Sequence, residues 1–104
     1  MKDVIIQPRA ESDLFEQWAY IDKDNPEAAD RFTEQAMETF RLIATMPLIG
    51  TFYESPNPQL QSLRKFPVQG FEQHLIFYAP SEDRIEIVRV LHSKRDLEGV
   101  VGEK

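Results

Sequence analysis

The sequence predicts an α+β domain in which an N-terminal strand is followed by an antiparallel helical hairpin packed on one face of a four-stranded, mainly antiparallel sheet. Three observations predict it. Between Ala10 and Ile43 apolar residues recur every three or four positions, the period of amphipathic helices, with one interruption at Asn25-Pro26. A β-branched run, Val4-Ile5-Ile6, precedes them. Three further strand-like runs close the chain, separated by a turn around Gly70 and by the polar link Pro80-Ser81-Glu82-Asp83.

The first strand is placed at about residues 3 to 7. Pro8 ends it, because proline cannot donate to a ladder but suits the first turn of a helix. From Arg9 onward Ala10, Leu14, Trp18 and Ile21 share one face, and Glu11, Asp13, Glu16, Gln17 and Asp22 are assigned to the other. Lys23-Asp24-Asn25-Pro26-Glu27 carries a stop and a restart, with Asn25 as N-cap, Pro26 at the first helical position and Glu27 at the favourable end of the helix dipole. The second helix turns Ala29, Phe32, Ala36, Phe40 and Ile43 inward, pairs Glu27 with Arg31, and runs to about Met46, where Pro47 stops it. Residues 47 to 61, with Pro47, Gly50, Pro56 and Pro58, read as a loop anchored by Phe52 and Tyr53. Strands are expected at Ser62 to Val68, His74 to Ala79 and Arg84 to Leu91. Simple alternation puts Ile85, Ile87, Arg89 and Leu91 on one face of the last and Glu86, Val88, Val90 and His92 on the other. With both helices on one face of the sheet, the opposite face is left for a site.

The 104 residues are read as a single domain, 1–104. Twelve Lys and Arg against 18 Asp and Glu give a net charge of −6, and the excess acid falls in the helical half. Bulk electrostatic attraction to nucleic acid is therefore disfavoured, and no direct sequence-specific nucleic-acid binding is expected. With no Cys, disulfides, thiolate metal sites and cysteine nucleophiles are excluded. No apolar run reaches the roughly 20 residues of a membrane span, and Met1-Lys2-Asp3 does not lead into a signal peptide, so a cytoplasmic protein without membrane contact is expected. His74 and His92 lack metal-ligand spacing, and nucleophile-elbow and phosphate-loop motifs are missing. No metal and no cofactor are expected.

Two cationic spots remain. The last strand leads into His92-Ser93-Lys94-Arg95, where a His followed by two cations suits an acidic partner or a phosphate, and where His92 serves either as a proton shuttle or as a cap on neighbouring backbone. Arg64-Lys65 is the other spot. It joins Lys94 and Arg95 in one patch if their strands are neighbours, and is otherwise a solvated strand face. Arg89, among aliphatic residues, is expected to pair with a carboxylate, and Tyr78 to pack in the core with its hydroxyl hydrogen-bonded at the rim.

An ordered series covers nearly the whole chain: Pro8-Arg9-Ala10-Glu11-Ser12-Asp13-Leu14, Asn25-Pro26-Glu27-Ala28-Ala29, Met46-Pro47-Leu48-Ile49-Gly50, Leu63-Arg64-Lys65-Phe66-Pro67, His74-Leu75-Ile76-Phe77-Tyr78, and Ile85 through Asp96. It resembles the ParE branch of the RelE/ParE superfamily, the plasmid-stabilisation toxins of type II toxin-antitoxin modules. The resemblance implies a toxin silenced by a ParD-like antitoxin whose disordered C-terminal segment folds as it wraps the toxin. It also implies a choice of target. ParE-like toxins inhibit DNA gyrase by protein binding, RelE-like relatives are ribosome-dependent mRNA endonucleases, and a non-toxic relative would bind its antitoxin only.

The nuclease branch typically uses an arginine on the third strand, where Leu75 stands here, and often a C-terminal aromatic, whereas no aromatic residue follows Tyr78. The gyrase reading is therefore preferred, with no catalytic residue. Arg64, Lys65, His92, Lys94 and Arg95 are the expected target or antitoxin contacts, and the apolar stripe of the hairpin is expected to leave a groove for an antitoxin helix. The net negative charge departs from the more often basic toxins of the superfamily.

Overall fold

Pro8 divides the first strand from the first helix, as its missing N–H requires. In a computed structural model that describes residues 1–54 and 62–96, β1 (Asp3–Ile6) leads into α1 (Pro8–Asp22), then α2 (Pro26–Thr45), β2 (Thr51–Phe52), β3 (Arg64–Val68), β4 (Phe71–Pro80) and β5 (Arg84–His92). The restart between the helices forms as expected. The Asn25 side chain accepts a hydrogen bond from the Ala28 N–H at 3.0 Å, and Pro26 opens α2.

The sheet has five strands, in the order β1-β5-β4-β3-β2, and it is mixed: β1 runs parallel to β5 and the other three pairs are antiparallel. The expectation of four strands is corrected by β2. Two residues are too few to show a period-two pattern, and they lie in a Pro- and Gly-rich stretch read as loop. Pairing of Thr51 with Lys65 and of Phe52 with Arg64 recruits them to the edge. Pro56 and Pro58 of the expected loop lie outside the described residues. Gly70, at φ +85°, makes the turn between β3 and β4, a left-handed conformation that glycine adopts without steric cost.

The main core lies between helices and sheet. Ala10, Phe32, Ala36, Phe40, Ile43 and Ala44 pack on Val68, Ile76, Tyr78, Ile85, Ile87 and Val90, all buried. Each fully buried large side chain contributes roughly 1.5–3 kcal/mol relative to exposure. The apolar stripe of the hairpin is thus consumed by the sheet and is not an open groove. The large apolar side chains that stay exposed on α1 are Phe15 and Tyr20. The opposite sheet face carries a smaller apolar cluster of Leu63, Phe77 and Leu91 with Tyr53, Leu75, Ala79 and Val88.

A bulge corrects the alternation expected for β5. His74 pairs with His92 and Phe77 with Arg89, but Tyr78 then pairs with Ile87, leaving Val88 as an extra residue. Ile85, Ile87 and Val90 can therefore all reach the helix-side core, while Val88 and Leu91 join the cluster on the other face.

Candidate functional site

Because β1 stops at Ile6, β5 has, among the described residues, no strand neighbour on that side beyond Ile87. A bare strand edge leaves N–H groups to be satisfied by something else. Here α1 and the turn after β5 supply carboxylates. Asp13 accepts the Val90 N–H at 3.0 Å and, bidentately, Nε and Nη2 of Arg89 at 2.7 and 3.0 Å. Arg89 thus pairs with a carboxylate as the sequence predicts. Two residues along, Asp96 accepts the His92 N–H at 2.8 Å and the Gln17 amide at 2.8 Å. Burial alone would raise the Asp96 carboxyl, but those two hydrogen bonds, with Arg95 nearby, outweigh it and hold the carboxyl below its ordinary value.

The same turn fixes Arg95. Its Nη2 donates to Gln17 Oε1 at 2.8 Å, and its guanidinium lies 3.8 Å from the centroid of the Tyr20 ring, which Lys23 also approaches at 5.0 Å. Lys94 is exposed. The end of the last strand is therefore a cationic corner braced by one face of α1, with Phe15 and Trp18 stacked at 6.0 Å on the same helix. His92 caps this corner: its Nδ1 accepts from the N–H groups of Lys94 and Arg95, both at 3.1 Å. Its ring is neutral there, with burial first and Arg95 second holding it below its ordinary value.

Arg64 and Lys65 are elsewhere. Arg64 pairs across β4 with Tyr78, whereas His92 pairs with His74, four residues along the same strand, and β4 separates β3 from β5. The single patch combining all four cations does not form. Arg64 braces the β2 edge: its Nη1 donates to the Gly50 carbonyl at 2.5 Å and its guanidinium covers the Phe52 ring at 4.3 Å. Lys65 lies 5.7 Å from the Tyr53 ring. Beneath them the Tyr78 hydroxyl donates to the Pro47 carbonyl at 2.8 Å and accepts the Gly50 N–H at 2.9 Å, and burial raises its pKa. Tyr78→Phe is expected to cost about 1–3 kcal/mol, the range for a buried group left without its partner, measured by urea denaturation. A loss under about 0.5 kcal/mol would mean water replaces the hydroxyl.

His74 is buried against Phe32 and His92, with ring centroids at 4.8 and 5.0 Å. Burial first, then the His92 and Arg95 charges, lower its pKa to about 4. Unfolded, it would take up a proton near pH 6.5. Stability is therefore expected to be unaffected by His74 above about pH 6.5 and to decline as pH falls from there to about 4. The decline amounts to roughly 2 kcal/mol after allowing for screening by solvent at the exposed turn beside it. His74→Phe, which keeps an aromatic ring on Phe32, should flatten that slope in thermal melts taken across the window. An unchanged slope would assign the acid sensitivity to other groups.

Asp13, Gln17 and Tyr20 are the residues that the sequence assigns to solvent or leaves unassigned and the structure places at the corner. The signal was present: Ala10, Asp13, Gln17 and Ile21 share a helix face at spacings of three and four, and the buried residues of α1 are Ala10, Asp13 and Gln17.

A helical hairpin packed on a small mixed sheet is a fold shared with ParE toxin structures. The sequence model described as ParE toxin of type II toxin-antitoxin system, parDE, matches residues 4–97, and the chain belongs to that family. Its fold is similar to that of a chain of the chromosomal ParDE toxin-antitoxin system from P. aeruginosa, with a TM-score of 0.72 at 16% identity, covering 90% of this chain and 98% of that one. It is also similar to a YoeB/ParE toxin from Agrobacterium tumefaciens, with a TM-score of 0.54 at 13% identity, covering 86% of this chain and 97% of that one. No curated protein sequence matches the chain. Among the described residues no helix is long and apolar enough to cross a membrane.

Proposed function

We propose that this chain acts in the cytoplasm as a single-domain toxin that inhibits DNA gyrase by binding it, performs no chemistry itself, and is neutralised by a ParD-like antitoxin. The observation that supports this reading is the chemistry around Leu75. Leu75 pairs with Leu91 and packs in the apolar cluster with Phe77 and Leu63. Phosphodiester cleavage needs a donor or cation aimed at the charge that develops in the transition state, and a leucine among leucines supplies none. The cationic corner, by contrast, offers a braced guanidinium and an exposed lysine beside exposed aromatic rings, a composition suited to protein contact.

Purified protein, freed of antitoxin and mixed with gyrase, ATP and supercoiled plasmid, should accumulate linear DNA that depends on gyrase. Absence of linear DNA from a folded protein that still arrests growth would overturn the gyrase reading. It would direct attention to ribosome-bound mRNA, for which Lys94 and Arg95 are suitably basic.

Lys94→Gln combined with Arg95→Gln should weaken inhibition by roughly tenfold or more while the fold is retained. Undiminished inhibition would remove both residues from the contact surface. An antitoxin lacking its C-terminal segment should bind far more weakly than the intact one. Equal binding would exclude coupled folding as the basis of neutralisation.

A further inference from the structure

His92 meets two demands that conflict once a proton is available. Its Nδ1 accepts from both the Lys94 and Arg95 N–H groups, closing the turn from His92 to Asp96. An accepting Nδ1 carries no proton, so the closed turn requires the neutral ring protonated at Nε2. Across the strand pair stands His74, ring to ring at 5.0 Å, buried against Phe32 and Phe71 and with its own Nδ1 lacking a partner among the described residues. A proton added to His92 at Nδ1 points directly at two backbone N–H groups and stands beside the buried ring of His74.

We propose that His92 is a proton-operated latch on the Lys94–Arg95 turn, backed by His74: the turn is closed while His92 is neutral and opens when His92 takes up a proton.

The groups facing His92 are Lys94, Arg95 and Asp96 from its own turn and His74 from β4, while α1 contributes the neutral Gln17 that holds Asp96. Burial, Arg95 and Lys94 favour the neutral ring, and among the described residues Asp96 opposes them. His74 faces His92, Arg95 and Asp96, and meets α2 through the Phe32 ring. Both rings are held below their ordinary value, His74 to about 4, and they face each other, so the pair titrates as a coupled unit. Opening releases the two N–H groups and disturbs the grip of Arg95 on Gln17 and Tyr20. That an open turn alters contact with a target rests on the reading of Lys94 and Arg95 as contact residues. The latch itself belongs to the free chain and stands or falls without a target.

The test is a nitrogen-15 NMR titration of the free protein from about pH 7.5 to about 5, the range in which histidines change charge. The imidazole nitrogens of His92 should report the Nε2–H tautomer at the upper end. As His92 titrates, the Lys94 and Arg95 amides should lose their hydrogen-bonded shifts and roughly tenfold or more of their exchange protection, while Ile85 and Ile87 hold theirs. His92→Asn, whose side-chain oxygen can accept the same two N–H groups but does not titrate, should keep the turn closed throughout. Three results would each overturn the latch: Lys94 and Arg95 amides that ignore the His92 titration, the same pH response in His92→Asn, or loss of Ile85 and Ile87 protection at the same pH as the turn. The wild-type titration alone suffices to refuse it if the variant does not fold.

Discussion

Asp13→Ala is expected to destabilise the protein by about 3–5 kcal/mol, a large share of the roughly 5–15 kcal/mol that holds a small domain folded. Three hydrogen bonds converge on this carboxylate, two from the Arg89 guanidinium and one from the Val90 N–H. The carboxylate and guanidinium side chains are only 7% and 15% exposed, so neither water nor salt substitutes easily for the lost partner. Removing Asp13 leaves a guanidinium with its charge uncompensated and a strand N–H with no acceptor. Two companions separate these contributions. Asp13→Asn keeps an acceptor for Val90 and should lose about half as much, whereas Arg89→Met with Asp13→Ala removes both charges and should recover part of the loss. Urea denaturation of the wild type, Asp13→Ala, Arg89→Met and the double variant closes the cycle, with Asp13→Asn measured beside them. A single Asp13→Ala loss within about 0.5 kcal/mol of zero would show that the pair does not anchor α1 to β5.

The pair also explains how much of the fold was legible and where legibility stopped. Elements with a strong period were readable: α2 begins at Pro26 under an Asn25 cap and ends at Thr45, as its apolar spacing and flanking prolines indicate. Asp13 and Gln17 were not readable as buried, because hydrophobic periodicity assigns polar residues to solvent by default. Asp13 is buried because the free edge of β5 presents the Val90 N–H, which only an acceptor can satisfy, and Gln17 because it donates to Asp96, the acceptor of the His92 N–H; both demands exist only after β1 and β5 have paired. The Val88 bulge was hidden for a related reason. A strict alternation is the only pattern a strand advertises, and one inserted residue reverses every assignment after it. The candidate contacts divide on the same principle. Lys94 and Arg95 follow directly in sequence from the strand that displays them, so their adjacency was visible, whereas their distance from Arg64 is set by the β4 register, which no local pattern specifies.

Gly50→Ala is expected to be the other costly substitution, at about 3 kcal/mol or more, since overpacking a rigid site and breaking its hydrogen bonds act together. The reason is contact and not backbone conformation. A Cβ at residue 50 would stand 2.6 Å from the Lys65 carbonyl oxygen, 2.8 Å from the Tyr78 hydroxyl and 2.9 Å from Tyr78 Cε1. None of these can yield cheaply. The carbonyl belongs to β3, paired with both β2 and β4, and Tyr78 is fully buried with its hydroxyl held between Pro47 and Gly50. To admit the methyl group, the segment from Pro47 to Phe52 must lift away from the sheet. That surrenders both Tyr78 hydrogen bonds and the Arg64 bond to the Gly50 carbonyl, and with them the position of Phe52 beneath the guanidinium. A discriminating comparison is Gly50→Ala in the Tyr78→Phe background. Removal of the hydroxyl relieves one of the close contacts, so the double variant should be less destabilised than the sum of the two single ones. Strict additivity would place the obstruction at the Lys65 carbonyl and the ring carbon Cε1, both of which the Tyr78→Phe variant keeps. A Gly50→Ala protein as stable as the wild type would show that the β2 edge is not held against the sheet as these distances require.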